Sequence, residues 1–259
     1  MINIKIEVLM SACKVNSIKD IIKFKNINNG IIINQLMDNE REEKYKNITM
    51  YNSKDKGLSK SRNMLLKKMN GDIGIITDDD ITFVKNYEEI ISNAYTKHPD
   101  ADIIIFNVQF GSRVHGKSEY HKYGKITILG VMSVQITFRQ KSIKDNNIKF
   151  NENFGLKAKF GSGEENIFLS DALNSGLKIV HEPVILCNHP EIETTGEKWN
   201  EDTIKTKGAV SYKLLGKMHN IFKYYLLFTK YNLYKEDFNM REFLKLYNLG
   251  LKEYKKIEV

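Results

Sequence analysis

Short apolar runs alternate with polar stretches of helical spacing from residue 4 to residue 180. The runs are rich in isoleucine and valine, which favour buried strands, whereas the polar stretches repeat apolar residues every three or four positions. Short strands that alternate with helices predict an α/β fold whose central sheet, mostly parallel, lies between helices. The predicted strands are 4–10, 30–35, 48–51, 73–77, 103–108, 131–139 and 177–180, and the predicted helices are 57–69 (with Ser59 as N-cap), 86–97 and 166–174.

The last part of the chain has a different pattern. From residue 205 onward the spacing is helical, and Leu214, Met218 and Ile221 recur at steps of four and three. Residues 205–259 hold 12 Lys and Arg against 5 Asp and Glu, whereas residues 1–204 hold 28 against 27. We therefore divide the chain into an α/β domain, 1–204, and a basic helical extension, 205–259. Such a basic extension could bind an anionic membrane surface, a phosphorylated acceptor or nucleic acid. The alternative is a solvated helical face or a helix that packs on the domain.

Composition narrows the class of protein. Of the 259 residues, 41% are hydrophobic, which is enough for a sizeable core. No uncharged apolar run reaches the roughly 18 residues that a membrane-spanning helix needs. Lys5 and Glu7 interrupt the amino-terminal run, which predicts a first strand and not a signal peptide. Because Cys13 and Cys187 lie in no metal-ligand pattern, we expect two buried thiols in a reducing, cytoplasmic compartment.

Three adjacent carboxylates, Asp78, Asp79 and Asp80, follow the predicted strand 73–77. Ligands bind at the carboxyl ends of strands in α/β sheets. Because the three charges repel one another, a divalent cation is the usual compensation, and Mg²⁺ or Mn²⁺ prefers such oxygen ligands. Alternate residues of an extended segment share a face, so we expect Asp78 and Asp80 to act together while Asp79 points elsewhere. The alternative is a solvated turn that caps the next helix.

Three further groups are candidates for chemistry. Residues 57–63 place Arg62 near a helix start, where backbone N–H groups attract anions and a guanidinium can pair with a carboxylate or phosphate. Glu164 and Glu165 follow a glycine at another helix start and are candidate general bases. His189 follows the last strand as a candidate metal ligand or proton carrier. Each has an ordinary alternative, namely a surface arginine, helix-terminal charge, or a histidine without a ligand.

The order and spacing of these blocks are more specific than any one of them. Residues 57–63 (GLSKSRN), the aspartates 78–80, residues 163–166 (GEEN) and residues 176–180 (GLKIV) follow one another along the chain. Over about residues 4–190 this order resembles the family 2 glycosyltransferases, and most of all their bacterial capsule and cell-surface polysaccharide branch.

The resemblance implies the GT-A fold and transfer of a sugar, with inversion, from a nucleotide-sugar donor, with a UDP-sugar favoured. It implies that Asp80 ligates Mn²⁺ or Mg²⁺ at the donor diphosphate, with Asp78 and His189 as further candidate ligands. Glu165 is the implied catalytic base and Glu164 the second choice. A base must be ionised, so a strongly raised pKa at Glu165 would impair it. The expected donor-binding residues are Ser11, Arg62, Asp78 and Asp79.

The sequence departs from the family at residues 33–35, which read Ile-Asn-Gln where many members carry an acidic segment that holds the nucleotide base. Recognition of the base is therefore open. We expect the acceptor to be a glycan or a lipid-linked glycan of a surface polysaccharide. The expected location is the cytoplasm, with the basic extension available for the inner face of the membrane.

Three rival interpretations remain. A nucleic-acid-binding protein would use the basic extension, but the acidic triplet repels phosphates, so we expect no nucleic-acid partner. A nucleotidyltransferase would carry a glycine-rich basic loop, which residues 10–17 lack. A catalytically silent member that only binds glycan or nucleotide would have lost the aspartates or the glutamate pair, and both are present.

Overall fold

The computed structural model describes residues 4–23, 25–190 and 198–258. The strands in these ranges are β1 (Ile6–Cys13), β2 (Asn29–Gln35), β3 (Glu42–Tyr45), β4 (Asn47–Asn52), β5 (Ile73–Asp78), β6 (Thr82–Phe83), β7 (Ile103–Phe110), β8 (Arg113–His115), β9 (His121–Lys122), β10 (Ile136–Arg139) and β11 (Ile179–His189). The helices are α1 (Ile18–Ile22), α2 (Leu58–Lys68), α3 (Tyr87–Lys97), α4 (Gln140–Asp145), α5 (Glu164–Asn174), α6 (Glu201–Leu215), α7 (His219–Thr229) and α8 (Met240–Glu258).

One sheet organises the fold, in the order β3-β4-β2-β1-β5-β10-β7-β11-β6. The four neighbours β4, β2, β1 and β5 are parallel, and so are β7 and β11. The short strand β10 runs antiparallel between β5 and β7. Because β1, β2 and β5 are parallel neighbours, their carboxyl ends meet at one edge of the sheet.

The central strands are buried on both faces, as in sheets covered by helices on each side. Successive residues of β7 show this, since Ile103 and Ile105 pack in one core and Ile104 and Phe106 pack in the other. The first core is closed by α2 and α5, and the second by α3. The predicted α/β sandwich, with parallel strands at the centre of its sheet and helices on both faces, is confirmed.

Several local predictions were wrong or too short. The first predicted helix begins at Leu58, so its N-cap is Gly57, which has no side chain to cap it, and not Ser59 as predicted. The Ser59 hydroxyl instead donates to the Phe154 carbonyl at 2.6 Å. Cys187 is buried, as expected, but Cys13 is exposed at the end of its strand. The predicted strand 131–139 is a 3₁₀ turn followed by β10, and the predicted strand 177–180 is the beginning of an 11-residue strand, β11.

The carboxyl-terminal helices pack on the sandwich. Helix α6 begins at Glu201, four residues before the boundary that the charge pattern suggested. Ala209 of α6 and Tyr254 of α8 share a core with Phe154, Phe160 and Ile167 of the preceding part of the chain. In the parts of the chain that the structure describes, no helix is long and apolar enough to cross a membrane.

Helices α6 and α8 cross at very close range through two glycines. A Cβ atom on Gly208 would lie 2.0 Å from the Tyr247 carbonyl oxygen, and one on Gly250 would lie 1.9 Å from the Lys205 carbonyl oxygen. Any side chain at either position would therefore force the helices apart. Helix α6, held by this crossing, also packs against α5.

Candidate active site

The candidate site lies where β1, β2 and β5 end. Ser11 is paired in register with Ile33 on one side and with Asp78 on the other. Ser11 is buried, and its hydroxyl accepts a hydrogen bond from the Ser61 hydroxyl at 2.9 Å. This bond ties β1 to α2. A direct contact between Ser11 and a donor stays a prediction.

Arg62 connects the two acidic blocks that are far apart in the sequence. Its side chain is 1% exposed, and it donates to Glu164 Oε1 at 2.8 Å and to Asp78 Oδ1 at 3.0 Å. Burial acts to lower the pKa of Arg62, but the carboxylates of Asp78, Glu164 and Glu165 together raise it. The guanidinium therefore stays charged and holds the end of β5 against the start of α5. It is not the ordinary surface arginine of the alternative interpretation.

Glycine brings α5 to this position. Gly163, the N-cap of α5, has a φ of 93° in the left-handed region, and a Cβ atom there would lie 2.6 Å from Val210 of α6. Only glycine satisfies both conditions without strain. The helix therefore starts two residues earlier than predicted, with Glu164 and Glu165 in its first turn, where negative charge is favoured.

The two glutamates have different surroundings. Glu164 is buried and ion-paired with Arg62. Glu165 is half-buried, and burial raises its pKa above the ordinary value of 4.5. The nearby Glu164 carboxylate raises this pKa further, whereas the Arg62 guanidinium lowers it. A raised pKa works against ionisation, but it also makes the ionised carboxylate a stronger base near neutral pH. Lys207 of α6 lies close enough to interact with Glu165, and burial lowers the pKa of this lysine.

The aspartate triplet divides between two directions. Asp78 has both oxygens occupied, because Oδ1 accepts from Arg62 and Oδ2 accepts from the Ser133 hydroxyl at 3.3 Å. Burial raises the pKa of Asp79, as do Asp80 and Asp78, while Lys25 opposes them. Asp79 also lines a cleft of about 410 Å³ together with Val15, Asp20, Ile21 and Lys25.

Asp80 instead faces His189 at the end of β11. The distance from His189 Nε2 to Asp80 Oδ2 is 3.5 Å, and the imidazole ring stacks on Phe110. His189 Nδ1 lies 2.8 Å from the Pro190 carbonyl oxygen, which can only accept, so Nδ1 carries a proton. In the neutral ring, Nε2 then presents its lone pair toward Asp80, which is the form that binds a metal.

A metal at this point would need ligands from outside the protein. Among the described residues, no group of three or more His, Cys, Asp or Glu side chains converges on one point. Asp80 and His189 supply one oxygen and one nitrogen. Mg²⁺ is commonly bound by one or two carboxylates and completed by phosphates and water, and Mn²⁺ accepts similar ligands, so the pair fits such an ion.

The structure adds residues that the sequence did not single out. Ser133 donates to Asp78, Lys25 lines the same cleft as Asp79, and Lys207 interacts electrostatically with Glu165. Gln35, at the end of β2, has a buried side-chain nitrogen without a hydrogen-bond partner among the described residues. Its neighbour Asn34 is buried and donates to Asn52, so of these two side chains only Gln35 has an unpaired buried donor. No local pattern distinguishes these positions, because only strand register and helix packing bring them together.

This arrangement combines three chemical capacities at one edge. It has an oxygen and nitrogen pair for a cation, a buried arginine that orders the carboxylates, and a half-buried carboxylate suited to take a proton. Arg62, Asp80 and Glu165 lie 18 to 103 positions apart in the sequence, so the fold assembles the site.

Neither a protein-family model nor the sequence of a curated protein matches the chain. Solved structures do match. S. aureus TarS, residues 1–349, in complex with UDP-GlcNAc, superposes with a TM-score of 0.68 at 14% identity, over 96% of this chain and 80% of that chain. The chain has the GT-A fold.

Two further TarS structures agree with this fold. TarS 1–349 in complex with UDP gives a TM-score of 0.64 at 14% identity, over 92% of this chain and 76% of that chain. A longer TarS chain gives 0.59 at 15% identity, over 88% of this chain and 44% of its own length. The match to TarS 1–349 with UDP-GlcNAc covers 96% of this chain and so leaves only 4% of it uncovered.

Proposed function

We propose that the chain is an inverting glycosyltransferase of family 2, which moves a sugar from a nucleotide-sugar donor to a hydroxyl of a glycan or lipid-linked acceptor. The GT-A fold supports the class of reaction, and two of the TarS structures that match are complexes with UDP-GlcNAc and with UDP. A UDP-sugar is accordingly the first donor to test.

One observation carries the proposal: the Arg62 guanidinium joins Asp78, at the end of β5, to Glu164, at the start of α5. A buried arginine with two carboxylate partners costs desolvation energy, which a purely structural core avoids. Here it holds the aspartate block and the glutamate block in one fixed arrangement. A donor at the aspartates and a base at the glutamates would therefore lie side by side.

We assign the base to Glu165 and the supporting role to Glu164. Glu164 is occupied by Arg62, whereas Glu165 has no ion pair within 4 Å among the described residues. Glu165 would take the proton of the acceptor hydroxyl while the hydroxyl oxygen attacks the anomeric carbon and the nucleoside diphosphate leaves. A single displacement on one face inverts the configuration of that carbon.

Asp80 and His189 are the proposed protein ligands of Mn²⁺ or Mg²⁺, and Asp78 remains a candidate whose oxygens are shared with Arg62 and Ser133. Such an ion, when bound, neutralises charge on a diphosphate leaving group as a Lewis acid. We place the donor against Asp78, Asp79 and Arg62, with the free amide of Gln35 available for the nucleotide. The proposed setting is surface polysaccharide synthesis at the inner face of the membrane, which the basic extension suits.

The test is the thermal midpoint of the protein with UDP, GDP or CMP, each with and without Mn²⁺. A ligand of the folded state raises the midpoint by mass action. We expect UDP to raise it only with Mn²⁺, and Asp80→Asn to remove the Mn²⁺-dependent part of the shift. Lys67→Ala, on the exposed side of α2, is the matched control and keeps the wild-type response.

Turnover is tested with UDP-GlcNAc, by following UDP release with and without added glycan acceptors. No shift with any nucleotide would contradict the donor site itself. A UDP shift without UDP release, unchanged in Glu165→Gln, would instead show the catalytically silent member that binds nucleotide.

A further inference from the structure

Helix α7 is apolar on two opposite sides, and only one of them is covered. Leu226 and Leu227 are buried in a core with Trp199 and Phe243. On the other side, Met218, Ile221, Tyr225 and Phe228 follow one another at steps of three, four and three, so they form one stripe, which we call the outer ridge. Ile221 is 71% exposed and Phe228 is 63% exposed. A helix that is apolar all round is normally buried, so the outer ridge lacks its cover.

The outer ridge is also the rim of a cleft. Met218, Ile221 and Tyr225 line an apolar cleft of about 760 Å³ whose opposite wall carries Ile126, which is 67% exposed. The inner lining includes Trp199, Leu214 and Phe222. The cleft reaches Asn166 and Lys207, which are the chain neighbour and the charged neighbour of the proposed base Glu165. The cleft beside the ridge thus reaches the first turn of α5, the turn that carries Glu165.

The charge around the ridge has one sign. Between Asp202 and Glu236 the sequence contains seven lysines and no acidic residue. Some of these lysines are occupied, but Lys217, Lys230 and Lys235 make no ion pair with any residue that the structure describes. Lys217 lies two residues before α7, and Lys230 follows the helix directly. The ridge is therefore bracketed by cations that complement an anionic surface.

The combination selects one occupant. Exposed Ile and Phe side chains, flanking tyrosines such as Tyr224 and Tyr231, and bracketing lysines are the features of a helix that lies in a bilayer interface. A protein partner would require a matching apolar face but would not require cations at both ends of the helix.

We infer that α7 docks on an anionic lipid bilayer, with the outer ridge among the acyl chains and the bracketing lysines at the headgroups. Docking turns the mouth of the cleft, which leads to the first turn of α5, toward the membrane surface. The inference rests on the proposed function in one respect, because it makes the acceptor a lipid-linked glycan presented at that surface.

Vesicle binding of the full chain tests the inference directly. We expect binding to vesicles of phosphatidylcholine with phosphatidylglycerol, weak binding to phosphatidylcholine alone, and release by salt. Ile221→Asp with Phe228→Asp, and separately Lys217→Glu with Lys230→Glu, should each raise the lipid concentration for half-binding about tenfold or more. Leu249→Asp on α8 and Lys67→Glu on α2, both exposed, are the matched controls and should bind as the wild type does.

Equal binding to both kinds of vesicle, no binding, or ridge variants that bind normally would each overturn the inference. A second copy of the chain as the occupant would appear as a dimer in sedimentation that Ile221→Asp dissociates, without vesicle binding. The UDP thermal shift separates this inference from the proposed function. A protein that responds to UDP but ignores vesicles keeps the function and loses the docking surface, and a protein that binds vesicles but ignores UDP does the reverse.

Discussion

Helices α2 and α7 are both 11 residues long, and each reverses the usual arrangement of polar and apolar side chains. Helix α2 turns Ser59, Ser61 and Arg62 into the protein, where they are buried. Helix α7 turns Ile221 and Phe228 out of it, where they are exposed. Each of these three side chains of α2 donates a hydrogen bond to another part of the chain, whereas the two outward side chains of α7 are apolar and face solvent.

The difference shows where each helix makes its decisive contacts. Ser61, Ser59 and Arg62 of α2 donate inside the chain to the Ser11 hydroxyl, to the Phe154 carbonyl and to two carboxylates. The apolar face of α7 gains only from something outside the chain. Departures from local pattern are expected where a protein functions, so α2 marks a site that the fold completes and α7 a surface that a partner completes.

Removal of Arg62 should have the largest effect of the substitutions that test this contrast between α2 and α7. Arg62→Ala leaves the buried Glu164 carboxylate without its partner, so we expect the free energy of unfolding to fall by about 3 to 5 kcal/mol and UDP release to fall to background. Denaturant titration measures the first effect. Arg62→Lys keeps the charge but not the two-pronged geometry, so it should recover part of the stability and little of the activity. Wild-type stability in Arg62→Ala would contradict the account of α2.

A second, smaller effect isolates the base. Glu165→Gln should lower glycosyl transfer by about 10² to 10⁴-fold while leaving the UDP thermal shift in place, because proton removal is lost and donor binding is not. In the wild type, kcat/KM should rise with pH through the raised pKa of Glu165. If Glu164→Gln shows the larger transfer defect at equal stability, the assignment of the two glutamates is reversed.

The same carboxyl also has a pH signature in stability. The pKa of Glu165 in the folded state is raised above the ordinary value of 4.5. The contribution of this carboxyl to the free energy of unfolding is therefore fully present below pH 4.5 and is lost as pH rises through the folded-state pKa. We therefore expect Glu165→Gln to decline less than the wild type in unfolding free energy between about pH 5 and about pH 8. Parallel profiles for the two proteins would show that burial does not raise this pKa.

The smallest effect sharpens the comparison from the side of α7. Ile221→Asp should change the free energy of unfolding by less than about 0.5 kcal/mol, because its side chain is already in solvent. Leu226→Ala, on the buried side of the same helix, should cost about 2 to 5 kcal/mol. Thermal denaturation of the two variants separates them, and a large loss in Ile221→Asp would mean that the ridge is covered within the chain.

Sequence pattern predicted the strands that build the centre of the sheet, because those strands are buried on both faces and read as continuous apolar runs. It also placed Asp78, Asp79 and Asp80 at a strand end. It failed at Ser59, since the buried hydroxyl bonds across to the Phe154 carbonyl, and no local rule anticipates a partner 95 positions away. It left the choice between Glu164 and Glu165 open, because adjacent identical residues differ only in what the fold places beside them.

The order of strands and helices, the acidic block at the end of β5 and the basic character of the extension were determined by the sequence itself, because each depends on residues close together in the chain. Tertiary structure alone decided three features: the ion pair of Arg62 with Glu164, the contact of Asp80 with His189 and the exposure of the outer ridge. Each of these depends on which faces pack and which remain open. Burial, and not residue type, gives the adjacent carboxylates Glu164 and Glu165, or the two apolar sides of α7, different roles.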